Sequence, residues 1–214
     1  GFQGWVKIGF GSDGRVLAMD SYVVQDNGST GGFWDFQNFG VAGSVILQPE
    51  AMRFRGVPVL TNTPPKGAQR GPGENQTANI LEPILDKGAR KLGIDRLALR
   101  LVNTPGGGTG AKVGPKRVPV TSAYLREGLV QASEKFDYAG RVRKSGKQAN
   151  GKIRSIGIGQ AYHAAGYNGW DGMVRITPDG KLHIHTGVGN LGTYSYAATS
   201  RVAAEVLGYD WNNT

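Results

Sequence analysis

The sequence predicts an α+β fold of hairpins and helices arranged in two subdomains. Three observations predict it. Apolar runs flank Asp-Gly turns at Asp13-Gly14 and Asp179-Gly180, a hairpin signal. Apolar residues at helical spacing recur at Ile80, Leu81, Ile84, Leu85 and Leu92, and again at Ala198, Val202, Val206 and Leu207. Strands and helices do not alternate regularly, which argues against a repeated βαβ plan.

The elements follow in order. Val6–Phe10 and Arg15–Val24 read as a hairpin. Residues 26–44, rich in Gly, Ser, Phe and Trp, read as an irregular loop. Val57–Leu60 reads as a short strand, with Pro58 favouring an edge. An amphipathic helix over 77–92 ends at Gly93, and Pro83 inside it requires a start close before the proline. Asp95 is placed to cap a second helix. Residues 103–120 hold Gly106, Gly107, Gly108 and Gly110 with Pro105, Pro115 and Pro119, and read as a linker. They divide the chain into subdomains 1–108 and 109–214. Thr121 or Ser122 is expected to cap a helix reaching Phe136, and Ile156–Tyr162 reads as a strand. Met173–Thr186 reads as a hairpin turning at Pro178-Asp179-Gly180, followed by a Gly-rich loop and a last helix.

Composition narrows the function. With no cysteine among 214 residues, disulfides, thiolate nucleophiles, zinc–thiolate sites and iron–sulfur ligation are excluded within this chain. No apolar run is long enough for a membrane helix, and cytoplasmic and periplasmic locations both stay open. The net charge of +9 admits nucleic acid, a membrane surface or an anionic small ligand. The most basic stretch, Lys135–Arg154, lacks interleaved aromatics and reads as a solvated loop. The chain starts without Met and stops after a helix, so both ends are expected to be cuts through a longer polypeptide.

Two glycine-bearing fingerprints lack their context. Gly9–Gly14 matches a dinucleotide pattern in letters, yet a strand follows where a helix N-terminus is needed. Gly106–Lys112 lacks the Gly-Lys-Ser/Thr ending of a phosphate loop. Two other loops do lead into helices. One is Lys66–Gln76, carrying Arg70-Gly71-Pro72-Gly73. The other is Gly187–Ser195, carrying Leu191-Gly192-Thr193. Loop amides with a guanidinium hold oxyanions, so the pair suggests one extended anionic ligand. His183 and His185 alternate on one strand and read as ordinary strand residues. Tyr162 and His163 are candidate pocket residues.

In these loops the chain resembles the molybdenum-binding subunit of the xanthine oxidase family of molybdenum hydroxylases. The likeness runs from Thr61-Asn62-Thr63-Pro64-Pro65 through Arg70-Gly71-Pro72-Gly73-Glu74-Asn75-Gln76 to Leu92-Gly93-Ile94-Asp95 and Leu99-Arg100-Leu101-Val102-Asn103. It resumes from Thr177-Pro178-Asp179-Gly180 to Val202-Ala203-Ala204-Glu205-Val206-Leu207-Gly208. Where the family carries Gly-Gln-Gly in the second loop, this chain has Leu191-Gly192-Thr193-Tyr194.

The resemblance implies that Arg70, Gly71, Pro72, Gly73, Leu191, Gly192 and Thr193 hold a molybdenum–molybdopterin cofactor, as the pyranopterin or as its dinucleotide. It implies that Tyr162 and His163 line a substrate pocket. No metal-ligating side chain is implied. The implied reaction oxidises an aldehyde or N-heterocycle with water-derived oxygen. A glutamate serves as base, on a loop absent from these residues, so the isolated chain is expected to be inactive and to hold no catalytic residue. The implied partners are the remainder of the molybdenum-binding subunit, an iron–sulfur subunit and a flavin or cytochrome subunit. Iron–sulfur clusters and FAD would lie in other chains or segments, and no nucleic acid partner is implied. The alternative from composition is a non-catalytic anion- or nucleic-acid-binding module without the metal.

Overall fold

A computed structural model describes residues 1–31, 34–108, 110–114, 116–120, 122–163, 172–187 and 194–213. The fold is α+β, and its contacts divide it into two compact units, Gly1–His163 and Ala164–Thr214.

The first unit opens with β1 (Phe2–Phe10) and β2 (Val16–Asp26), the expected hairpin. Gly14 closes the turn at φ +86°, a conformation that costs a residue with a Cβ. Met19, Ser21, Val23 and Gln25 are buried along β2, the two-residue alternation of a strand with one face on a core. Helix α1 (Asp35–Leu47) then crosses to β3 (Ala51–Val59), which pairs parallel to β2 at the edge of the sheet. Pro58 is tolerated there because an edge strand need not donate on both sides.

Helix α1 corrects the loop expected over 26–44. Ten of its thirteen residues are buried, which leaves only a short polar face at Gln37 and Asn38. Its glycines serve close packing. A Cβ on Gly40 would stand 2.8 Å from the Phe54 ring, and one on Gly43 would stand 2.9 Å from Met19 Cε.

Helix α2 (Glu74–Leu92) is longer than expected, and Pro83 sits well inside it rather than near its start. Gly93 ends it at φ +68°. Helix α3 (Arg96–Asn103) is capped as expected: Asp95 Oδ1 accepts from the amides of Leu97 at 2.8 Å and Ala98 at 3.1 Å. The core joins Val16 and Met19, Ala42, Ile46 and Leu47, Leu81, Leu85 and Ala89, and Leu99, from the sheet and all three helices.

Among the described residues of 103–120, the chain packs on α1 as a small ribbon, β4 (Lys112–Val113) with β5 (Val118–Pro119). Gly114 N donates to Ser44 Oγ at 2.9 Å. Helix α4 (Leu125–Lys135) has no side-chain cap, which corrects the capping expected from Ser122, while Thr121 lies outside the described residues. Helix α5 (Tyr138–Arg143) and the ribbon β6 (Gly146–Lys147) with β7 (Ile153–Arg154) give the basic stretch more order than a loop, though its cations are exposed.

The second unit holds β8 (Gly172–Ile176) and β9 (Leu182–Thr186), the expected hairpin, and α6 (Ser195–Leu207), followed by a 3-10 turn at Trp211–Asn213. Leu182 and Ala204 are its buried apolar residues among those described.

Candidate functional site

The Arg70 loop is built from glycines and closed by side chains. Gly71 stands at φ +64° and Gly73 at φ +78°, where only glycine is unstrained. Asn75 ties the turn: its amide nitrogen donates to the Gly71 carbonyl at 3.0 Å, and its Nδ2 donates to the Arg70 carbonyl at 2.5 Å. Asn38 Nδ2, on α1, donates to the Pro72 carbonyl at 2.9 Å. A Cβ on Gly73 would fall 1.9 Å from the Asp35 carbonyl oxygen, so the loop lies directly on the first turn of α1. Burial pushes the Asp35 carboxyl above its ordinary value. Arg70 itself is exposed, and Pro72 is half-buried.

The loop delivers the chain to the N-terminus of α2, where the helix dipole favours negative charge. Thr77, fully buried, satisfies the Gly73 carbonyl from its amide at 3.0 Å and from its hydroxyl at 2.8 Å. The first turn also contains two side chains that sequence reasoning did not single out. Gln76 carries a buried Oε1 with no hydrogen-bond partner among the described residues. Glu74, 7% exposed, meets Nδ1 of His163 across 89 positions of sequence.

The structure thus brings the expected pocket residues Tyr162 and His163 to the Arg70 loop. Tyr162 is half-buried on the hydrophobic core, and burial together with the Glu74 charge holds its phenol above the ordinary tyrosine value. The His163 side chain is 68% exposed. Residues 156–162 are not the strand that alternation suggests. Side chains take the place of a ladder. Gln160 N donates to Glu82 Oε1 at 3.1 Å, Gln160 Nε2 donates to the Thr104 hydroxyl, and Arg96 Nη1 donates to the Ile156 carbonyl at 3.0 Å.

Leu191, Gly192 and Thr193 lie outside the described residues. His183 and His185 lie on β9 with rings 6.4 Å apart, as ordinary strand neighbours. Among the described residues, no three His, Cys, Asp or Glu side chains cluster as metal ligands. No helix is long and apolar enough to cross a membrane, among the described residues. A cavity of about 720 Å³ lies between α1 and β3, lined by Gln37, Val41, Ser44, Met52, Arg53 and Arg117, and none of residues 70–74 or 162–163 lines it.

Known proteins resemble this chain in sequence and in fold. Models of the molybdopterin cofactor-binding domain match residues 1–104 and residues 131–213. The aldehyde oxidoreductase molybdenum-binding subunit PaoC of Escherichia coli is 26% identical over 209 residues, covering 95% of this chain and 27% of that protein. A putative xanthine dehydrogenase molybdenum-binding subunit of Escherichia coli is 31% identical over 155 residues, covering 69% of this chain and 20% of that protein. The chain therefore spans about a quarter of the length of the curated relatives it matches. The crystal structure of the aldehyde oxidoreductase from Desulfovibrio desulfuricans superposes with a TM-score of 0.75 at 22% identity, covering 99% of this chain and 24% of that one, a likeness of fold.

Proposed function

This chain belongs to the xanthine oxidase family of molybdopterin-binding subunits, and from that premise we propose that it supplies cofactor-binding loops and pocket walls to a molybdenum hydroxylase acting on an aldehyde or an N-heterocycle. The observation that carries the reading is the Arg70 loop. Two positive-φ glycines, an exposed guanidinium and a helix N-terminus converge there beside the unsatisfied acceptor of Gln76.

These residues fit the cofactor. Arg70 gives charge-assisted hydrogen bonds to anionic oxygens. Gly71 and Gly73 leave the backbone open to close approach, Pro72 adds a half-buried apolar surface, and Gln76 Oε1 accepts from a ligand N–H. The family resemblance carries a cofactor-binding role to Leu191, Gly192 and Thr193 of the second loop as well, which lie outside the described residues. When bound, the molybdenum–molybdopterin group supplies the redox centre that takes electrons from substrate. Tyr162 contributes a neutral phenol to the pocket wall and His163 an exposed imidazole. The rest of the molybdenum-binding subunit, an iron–sulfur subunit and a flavin or cytochrome subunit complete the assembly. Residues 1–108 and 109–214 are part of a first and part of a second molybdopterin-binding subdomain; family matches over 1–104 and 131–213 support the division, whereas the contact units divide after His163.

The test is elemental and pterin analysis of the protein purified from its native source. Near-stoichiometric molybdenum with releasable pterin is expected. A protein free of both, which instead binds a random DNA duplex with steep salt dependence, would establish a nucleic-acid module in its place.

A further inference from the structure

We propose that Glu74 is a positioning residue that fixes His163 as the Nδ1–H tautomer and offers its Nε2 outward as a hydrogen-bond acceptor for a ligand O–H or N–H group. The acceptor role rests on the reading of His163 as a pocket residue, whereas the tautomer does not.

An ionised carboxylate can only accept, and a neutral imidazole has one donor nitrogen and one acceptor nitrogen. Glu74 is 7% exposed and must be satisfied within the protein. Its hydrogen-bond partner is Nδ1 of His163. The proton of the neutral ring therefore sits on Nδ1, and the lone pair of Nε2 is left on the far side of an imidazole that is 68% exposed.

Both partners are held from elsewhere. Glu74 begins α2, where the helix dipole favours its negative charge. His163 follows Tyr162, which is anchored on the core, and Gln160, which is pinned to Glu82 and Thr104. A ring flip would put C–H against a buried carboxylate, so the orientation is fixed together with the tautomer. The chemical consequence is selective. A heterocyclic N–H or a hydroxyl finds an acceptor at Nε2, while a carbonyl or carboxylate oxygen meets a lone pair.

The experiment uses the full chain labelled with 15N. Long-range 1H–15N correlation spectra at about pH 8.5, well above the ordinary histidine pKa of about 6.5, read which ring nitrogen carries the proton. The chain has only three histidines, so the exposed-residue variant His163→Gln assigns the signal. Wild type is expected to show Nδ1–H at His163. Glu74→Ala, and the volume-filling Glu74→Met, remove the acceptor and are expected to move more than half of the population to Nε2–H. A wild-type ring protonated on Nε2 overturns the proposal. So does an Nδ1–H tautomer that survives in a folded Glu74 variant. Molybdenum content, measured separately, tests the cofactor reading and leaves the tautomer result standing whichever way it falls.

Discussion

Arg100 has no exposed side-chain surface and donates from Nε to Oε2 of Glu82 at 2.8 Å. Its Nη2 also reaches Asp86 Oδ1 at 2.8 Å, and its Nη1 donates to the Arg96 carbonyl at 2.9 Å. Burial nonetheless outweighs the guanidinium at Glu82 and holds its carboxyl above the ordinary value. Since Glu82 also accepts from Gln160 N, the ion cluster is the anchor of the segment that carries Tyr162 and His163.

Arg100→Leu is therefore expected to destabilise the fold by about 3–5 kcal/mol, because the carboxylates of Glu82 and Asp86 lose their shared cation. Urea unfolding measures it. Adding Glu82→Gln should recover part of the loss, since the remaining charge no longer faces a second one. A loss below about 1 kcal/mol for the single variant would mean the cluster is solvated in solution.

Asp26 governs acid behaviour near the first loop. Hydrogen bonds from the Thr61 hydroxyl at 2.6 Å and the Gly28 amide at 2.9 Å, with Lys66 Nζ 3.7 Å away, lower its pKa from 3.8 to about 2. A carboxyl with a depressed folded pKa contributes stability that is complete above its unfolded value and lost as pH falls through the folded one. Stability should thus fall between pH 3.8 and about 2. Asp26→Asn should lower the neutral-pH stability and flatten this part of the acid limb, read by denaturant titrations at several pH values.

Two glycines of one loop should answer very differently to alanine. Gly73 has φ +78° and a Cβ position 1.9 Å from the Asp35 carbonyl oxygen, whereas a Cβ on Gly67 meets nothing within 4 Å. Gly73→Ala is expected to cost more than about 2 kcal/mol from strain and overlap. Gly67→Ala should stay within about 0.5 kcal/mol. Thermal or urea unfolding separates them, and equal effects would refute the loop geometry.

The features legible in the sequence are local ones. Asp13-Gly14 and Asp179-Gly180 specify turns between neighbouring strands, and Asp95 specifies a cap, because each acts within a few residues. Helix α1 was not legible because ten of its thirteen residues are buried, which leaves only a short polar face at Gln37 and Asn38. Segment 156–162 carries strand-like alternation, yet its hydrogen bonds go to Glu82, Thr104 and Arg96 from distant elements, which no alternation records. At the site, the Arg70 loop was legible from its glycines and the helix after it. The Glu74–His163 pair was not, since the two residues stand 89 apart and only the folded chain joins them. The one available signal was an acidic residue at the first position of a helix that follows a glycine loop.

The central claim is that the Arg70 loop holds an anionic molybdenum–pterin cofactor. The direct measurement is molybdenum and pterin content per chain in the native assembly carrying Arg70→Ala, beside wild type, with circular dichroism confirming the fold. Loss of charge-assisted hydrogen bonds worth about 1.5–3 kcal/mol predicts occupancy reduced by roughly tenfold or more at limiting cofactor. A folded Arg70→Ala assembly with unchanged molybdenum and pterin would contradict the account and leave Arg70 as a residue that merely precedes a helix.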